Sequence, residues 1–224
     1  FVDIHSHILP GIDDGAKNIE ESLVLISELK KLGFSKIIGT PHTYPGLYNN
    51  TEISIKKSFK KIIDKNKDDI EIKYSSEYML GDYLIPICKN KNLLCLKSNY
   101  VLVEMSYLSA PNNLEEIIFQ ICINGYIPVL AHPERYRFFI NDFKKFYRLK
   151  KLGCEFQINL FSTTGYYGPD VLILTEKLLK NNLVNYTGTD LHNIRQLDQF
   201  NNKLEVKNIK ELNKIIEKTK NIFG

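Results

Sequence analysis

Five histidines occur in the 224-residue chain, and two of them stand at i and i+2 in the opening segment Asp3-Ile4-His5-Ser6-His7-Ile8-Leu9-Pro10-Gly11-Ile12-Asp13-Asp14-Gly15. On a strand that spacing turns both rings to one face. Pro10-Gly11 then forces a turn, which delivers Asp13 and Asp14 just beyond it. Two imidazoles and a nearby carboxylate form a donor set for a divalent metal, although an isolated H-x-H is more often a pair of hydrogen-bonded strand-end histidines. What favours the metal is the rest of the chain. Asp190-x-His192 repeats the i, i+2 spacing, and other donors come as Thr40-Pro41-His42, Ser76-Glu77, Glu104 and Ala131-His132-Pro133-Glu134-Arg135.

These groups need elements to bring them together. Short runs rich in Val, Ile and Tyr alternate with stretches of helical period, a pattern that predicts an α/β fold with parallel strands. Strands are expected at Phe1 to Ile4, Lys36 to Gly39, Ile70 to Ser75, Tyr100 to Val103, Ile127 to Leu130, Glu155 to Ile158 and Val184 to Tyr186. Helices are expected at about 18–32, 51–66, 82–91, 112–124, 140–151, 168–181 and 207–221. In the first of them Asn18 caps the start, with Glu21 three residues on, and Gly33 ends it. In the last, Ile209, Leu212, Ile215 and Ile216 form the apolar face. All five histidines, His5, His7, His42, His132 and His192, fall at carboxyl ends of strands. In a parallel α/β barrel those ends converge on one mouth, so donors distant in sequence become neighbours.

Composition narrows the class. A hydrophobic share of 43% with 25% charged residues of mixed sign and mean hydropathy of −0.22 predicts an ordinary folded chain rather than disorder. No linker-like stretch divides it, so one domain over 1–224 is expected. A net charge of +4 with lysines scattered among acids describes solvated helix faces, and no nucleic-acid partner is expected. Cys88, Cys95, Cys122 and Cys154 lack C-x-x-C spacing and read as reduced, structural thiols. No apolar run of about 18 residues and no signal-peptide pattern occurs, which predicts a cytoplasmic protein without membrane insertion.

Taken in order, D-x-H-x-H, T-P-H, S-E, a second Glu, H-P-E-R and D-x-H resemble the polymerase and histidinol phosphatase (PHP) superfamily. Within it, D-I-H-S-H-I-L-P-G-I-D-D-G with T-D-x-H-N resembles the bacterial capsule-regulating tyrosine-protein phosphatases of the CpsB/YwqE type. The resemblance runs from Asp3 to about His192. It implies a distorted (β/α)7 barrel, TIM-like, with three metal ions, for which oxygen and imidazole donors without a thiolate suit Mn2+ first, with Fe2+ or Zn2+ as alternatives. It assigns His5, His7, Glu77 and Asp190 to a first metal, Glu77 as bridge with Glu104 and His132 to a second, and Asp14, His42 and His192 to a third. Asp13 reads as an Asx-type turn acid, and Glu134 as a supporting or solvated acid. The resemblance also implies as partner a phosphotyrosine protein, in particular the Tyr-rich tail of a bacterial tyrosine kinase controlling polysaccharide export.

The chemistry follows from the donors. Three divalent ions against the carboxylates Asp14, Glu77, Glu104 and Asp190 leave roughly two positive charges for a phosphate dianion. A metal-bridging water, with its pKa lowered from 15.7 toward about 7, supplies hydroxide for in-line attack on phosphorus. Arg135 is the expected catalytic and substrate-binding cation, placed by the resemblance to aid the leaving group and able to grip phosphate bidentately. Arg195 is a second candidate phosphate contact, though its spacing from the D-x-H departs from the family pattern. Phenolate, with a conjugate acid near pH 10, leaves without a strong general acid, which suits tyrosine phosphate.

The residues six beyond the cysteines are Leu94, Val101, Pro128 and Leu160, so no Cys-x5-Arg phosphatase is present, and no P-loop or nucleophile elbow occurs. A small-molecule phosphoesterase similar to histidinol phosphatase and a non-catalytic PHP module are the alternatives. Tyr44, Tyr48, Tyr78, Tyr107, Tyr136, Tyr166 and Tyr167 flank the expected mouth, either as stacking partners for a phenyl ring or as half-buried rim.

Overall fold

The computed structural model describes residues 1–201 and 203–224. Among the described residues nine strands, all paired in parallel, are interspersed with helices. They are β1 (Val2–Ser6), β2 (Lys36–Gly39), β3 (His42–Thr43), β4 (Glu71–Tyr74), β5 (Glu77–Met79), β6 (Tyr100–Glu104), β7 (Ile127–Ala131), β8 (Glu155–Asn159) and β9 (Tyr186–Gly188). The order is β1-β2-β4 in one sheet and β3-β5-β6-β7-β8-β9 in the other. Helices α1 (Ile19–Lys31), α2 (Glu52–Lys65), α3 (Leu84–Lys89), α4 (Leu114–Ile123), α5 (Lys144–Lys151), α6 (Pro169–Lys180), α7 (Ile194–Leu197) and α8 (Ile209–Phe223) lie between and after them.

Strands β1, β6, β7 and β8 are buried almost throughout, as near-continuous apolar runs covered on both faces must be. The seven expected strands are all present, with two refinements. The second and third are each broken and continued, β2 into β3 and β4 into β5. Pro41, which has no N–H to give to the ladder, lies in the first break. Hydrogen bonds span both breaks, from Thr40 N to Ser6 O (2.8 Å), Ser75 N to Gly39 O (2.8 Å) and Glu77 N to Pro41 O (3.1 Å). Glu77 therefore begins a strand rather than following one. The last strand sits two residues later than expected.

The far ends of the two sheets also meet. Ser6 bridges Leu191 in parallel, Asp190 N donates to His5 O (2.7 Å) and His7 N to Leu191 O (2.9 Å). These bonds carry the first and last donor pairs of the chain side by side.

The first helix starts as expected, with Asn18 Oδ1 accepting from Glu21 N at 2.9 Å. Expected helices at 82–91 and 140–151 contract to Leu84–Lys89 and Lys144–Lys151, the latter preceded by a 3-10 turn, Arg137–Phe139. On α8, Leu212, Ile215 and Phe223 are buried, whereas Ile209 in the first turn is exposed. Phe223 packs edge-on against Tyr100 and Tyr186, sealing the sheet at the end away from the donors. All four cysteines are free. Among the described residues no helix is long and apolar enough to cross a membrane.

Candidate metal centre

The nine donor residues named from the sequence converge at one end of the sheets, with His42 and Glu77 opening the short continuation strands β3 and β5 there. His5 Nε2 and His7 Nε2 lie 3.3 Å apart. Glu77 Oε2 is 3.2 Å from the first and 3.4 Å from the second, and Asp190 Oδ1 is 3.3 Å from both. Donors tetrahedrally placed about 2.1 Å from one ion stand about 3.4 Å apart. The spacings to the two imidazoles have that size, and His5, His7 and Glu77 form one donor group while His5, His132 and Asp190 form another.

Glu77 faces two ways. Its Oε1 meets His132 Nε2 at 3.1 Å, while Oε2 also lies 3.0 Å from His42 Nδ1. Glu104 Oε1 approaches His42 Nδ1 at 2.8 Å. Further out, Asp14 Oδ1 is 3.4 Å from His42 Nε2 and 3.5 Å from His192 Nε2, and these three, with His7, form a further donor group. Glu77 Oε2 and His42 Nδ1, which face each other in the cluster, are buried without a hydrogen-bond partner. Such atoms are costly unless something else satisfies them, and a divalent ion does.

A supporting layer aims the donors. His5 Nδ1 is bonded to Gln157 Oε1 (2.8 Å), and Gln157 Nε2 donates to Asn159 Oδ1 (3.0 Å). Asn159 Nδ2 in turn donates to Asp190 Oδ2 (2.8 Å). His7 Nδ1 pairs with Asp13 Oδ2 (2.8 Å). In each histidine the outer nitrogen is engaged, so the inner Nε2 lone pair is turned to the cluster. Asp3 is fully buried, and its oxygens accept from Thr189 N (2.9 Å), Thr189 Oγ1 (2.6 Å) and His5 N (3.2 Å). It thus ties β1 to the segment bearing Asp190.

Two donor residues carry backbone strain: His132 and Asp190 adopt left-handed φ of 37° and 57°, at a typical cost of about 1–3 kcal/mol each. Gly15 is required by contact, since a Cβ there would lie 2.1 Å from His7 O.

Asp13 forms the expected Asx turn, accepting from Gly15 N at 3.0 Å, in addition to orienting His7. Glu134 is supporting and not solvated. It is fully buried and accepts from Asn159 N (2.8 Å) and Ser162 Oγ (2.7 Å). Arg135 Nη1 donates to Asp190 Oδ2 (2.8 Å), so the expected substrate contact also touches a donor residue, on the oxygen facing away from the histidines. Arg195 stands exposed on α7, in the wall of a neighbouring cavity of about 620 Å3 that Asp14 and His192 also line. Of the aromatic set, Tyr78 and Tyr136 are core residues whose hydroxyls accept from Leu94 N and Met105 N. Tyr44, Tyr107 and Tyr166 are exposed at the rim. Tyr48 stacks on His42 with centroids 5.5 Å apart.

Gln157, Asn159, Asp3 and Thr189 escape a reading of the sequence that looks for donors. The available signal was the Gln-x-Asn alternation in an otherwise apolar strand.

Charge in the cluster is mutually compensated. Burial opposes a charge on His42, but Glu77 beside it pushes its pKa up to about 10. Burial and the neighbouring Glu77 push Glu104 up to about 7, and burial lowers His132 to about 4. Glu77 itself is held well below the carboxylate range by His5 and His42, despite burial. Without metal, the raised His42 contributes stability below pH 6.5 that is lost as pH rises through about 10. The raised Glu104 contributes stability below its ordinary value that is lost through about pH 7. In chelator, Tm is therefore expected to fall between pH 6.5 and 9. With Mn2+ the trend reverses, because the donors must be unprotonated to bind it. Thermal unfolding at both pH values, with and without chelator, checks this, and a chelated Tm that rises with pH contradicts it.

Comparison with known proteins follows the same line. The family model described as capsular polysaccharide synthesis, CpsB/CapC, matches residues 1–217. Tyrosine-protein phosphatase CpsB of Streptococcus pneumoniae is 31% identical over 203 residues, covering 87% of this chain and 84% of that protein. Tyrosine-protein phosphatase YwqE of Bacillus subtilis is 29% identical over 199 residues, covering 87% and 78%. A solved structure described as YwqE from Bacillus subtilis and CpsB from Streptococcus pneumoniae, unique metal-dependent tyrosine phosphatases, superposes with a TM-score of 0.81 at 27% identity, covering 96% of this chain and 87% of that one.

Proposed function

From a chain that belongs to the CpsB/CapC family of capsular polysaccharide synthesis, we propose a metal-dependent protein-tyrosine phosphatase whose site is the donor cluster at the strand ends. The observation that carries this reading is the convergence of Glu77 and Asp190 on His5 and His7, with Glu77 shared toward His42 and His132. We assign three divalent ions, Mn2+ first, with Fe or Zn as alternatives. His5, His7, Glu77 and Asp190 hold one, Glu77, Glu104 and His132 a second, and Asp14, His42 and His192 a third. The Ser6–Leu191 bridge supports reading the parallel strands as a closed, distorted (β/α)7 barrel, with the whole chain acting as one domain.

When bound, such ions activate water as nucleophile and neutralise phosphate charge. The chain's own part is orientation and substrate binding. Gln157 and Asp13 fix the tautomers of His5 and His7. Arg135, on the cavity of about 580 Å3 that Asp14, Asp190 and His192 also line, is placed to grip phosphate oxygens, and Arg195 offers a second cation at the rim. The partner that suits this family and site is the Tyr-rich tail of a bacterial tyrosine kinase, met by this protein in the cytoplasm.

Rates on a phosphotyrosine peptide and on histidinol phosphate, measured side by side with Mn2+, test the reading. Preference for histidinol phosphate would replace it with a small-molecule phosphoesterase. Arg135→Ala is expected to lower kcat by about 10²–10³ with metal content kept, because Asn159 still holds Asp190. Elemental analysis beside the assay separates loss of metal from loss of the cation, and unchanged turnover removes Arg135 from the mechanism.

A further inference from the structure

Arg135 is held by more than its ion pair. Its guanidinium carbon lies 4.4 Å from the ring centroid of Tyr107 and 4.4 Å from that of Tyr167. The rings come from separate loops, one after β6 and one between β8 and α6. A planar cation between two π faces is gripped across its plane, while the bond from Nη1 to Asp190 Oδ2 fixes its rotation within that plane. The side chain is nevertheless 22% exposed and lines the cavity beside the donors. The hydroxyls contribute little, since Tyr107 Oη is 3.5 Å from His132 Nε2 and Tyr167 Oη 3.5 Å from Asn159 Nδ2, long for hydrogen bonds. The ring faces are what these two residues supply.

We propose that Tyr107 and Tyr167 are positioning residues that clamp the Arg135 guanidinium in the orientation in which it meets the substrate phosphate. This rests on the phosphatase reading of the site. The alternative use of the same rings, stacking on the phenyl group of the substrate, is left only the remaining face of each, because one face of each already lies on the guanidinium.

The test is a double-mutant cycle on the metal-loaded protein with p-nitrophenyl phosphate. Tyr107→Leu and Tyr167→Leu are each expected to lower kcat about tenfold, and the corresponding Phe variants to stay within about twofold of wild type. In an Arg135→Ala background the Leu substitutions are expected to cost nothing further. Unchanged metal content marks a folded variant, and the ring-current shifts of the Arg135 side-chain protons are expected to be reduced in each Leu variant and kept in the Phe variants. Losses of equal size with and without Arg135, Phe variants as damaged as the Leu ones, or an effect confined to KM would overturn the clamp while leaving the phosphatase reading in place. Full turnover in Arg135→Ala alone would overturn the phosphate role of Arg135 and the clamp with it.

Discussion

Glu77→Gln is expected to lower kcat by at least about 10³-fold and to reduce bound metal by one or more ions per chain. The argument is positional. Glu77 is fully buried, and its two oxygens face four imidazoles, His132 on one side and His5, His7 and His42 on the other. An amide keeps the shape but replaces one oxygen by an NH2, which turns hydrogens toward nitrogens that must offer lone pairs. It also removes the negative charge that compensates the cluster. In chelator the same variant should be destabilised, since removing one partner of a buried ion pair typically costs about 3–5 kcal/mol. A supporting residue behaves differently: Gln157→Ala, which frees only the outer nitrogen of His5, is expected to cost about 10–100-fold in metal affinity. Elemental analysis and Mn2+ titration of both variants check the ranking. Full metal content and activity in Glu77→Gln would remove it from the centre.

That ranking separates what was legible in the sequence from what was not. His5-x-His7 and Asp190-x-His192 were visible because strand periodicity alone puts i and i+2 on one face. The strands that carry the donors were visible because buried parallel strands are short apolar runs. The supporting layer was not visible. Gln157 of β8 meets His5 across 152 residues, and Asp3 meets Thr189 across 186, contacts that arise only because the last strands and the segment after β9 come to lie beside β1. Glu134 illustrates the same limit, because an acid beside Arg135 after a strand gives no sign that Asn159 and Ser162 will bury it. Tyr78 and Tyr136 looked like rim residues and are core, while Tyr107 and Tyr167 lie against Arg135. Sequence order places all four near strand ends but not on which face.

Phosphotyrosine in a flexible peptide is expected to be hydrolysed at least about 100-fold faster in kcat/KM than phosphoserine in a matched peptide, a difference of about 2.7 kcal/mol in barrier. Two features point the same way. The first is the leaving group: phenolate has a conjugate acid near pH 10, whereas serine alkoxide is far more basic and needs a proton as the bond breaks. The carboxyls raised toward neutrality are poorly placed to give one. Glu104 faces His42 within the donor cluster, and Glu134 is buried with an oxygen on Asn159 N and Ser162 Oγ. Arg135 holds its proton too tightly to donate it. The second feature is depth. His5, His7 and Glu77 are fully buried and Glu104 and Asp190 only 3% and 2% exposed, with the exposed Tyr44, Tyr107 and Tyr166 standing around the mouth. A phosphate must descend past that rim to reach the inner donors, and a phenyl ring carries it several ångströms further from the peptide backbone than a serine methylene does. The two contributions separate experimentally. Small alkyl and aryl phosphates without a peptide remove the depth constraint, so a residual preference between them measures the leaving group alone. Equal kcat/KM for the two peptides would contradict both arguments and mark the site as a general phosphoesterase.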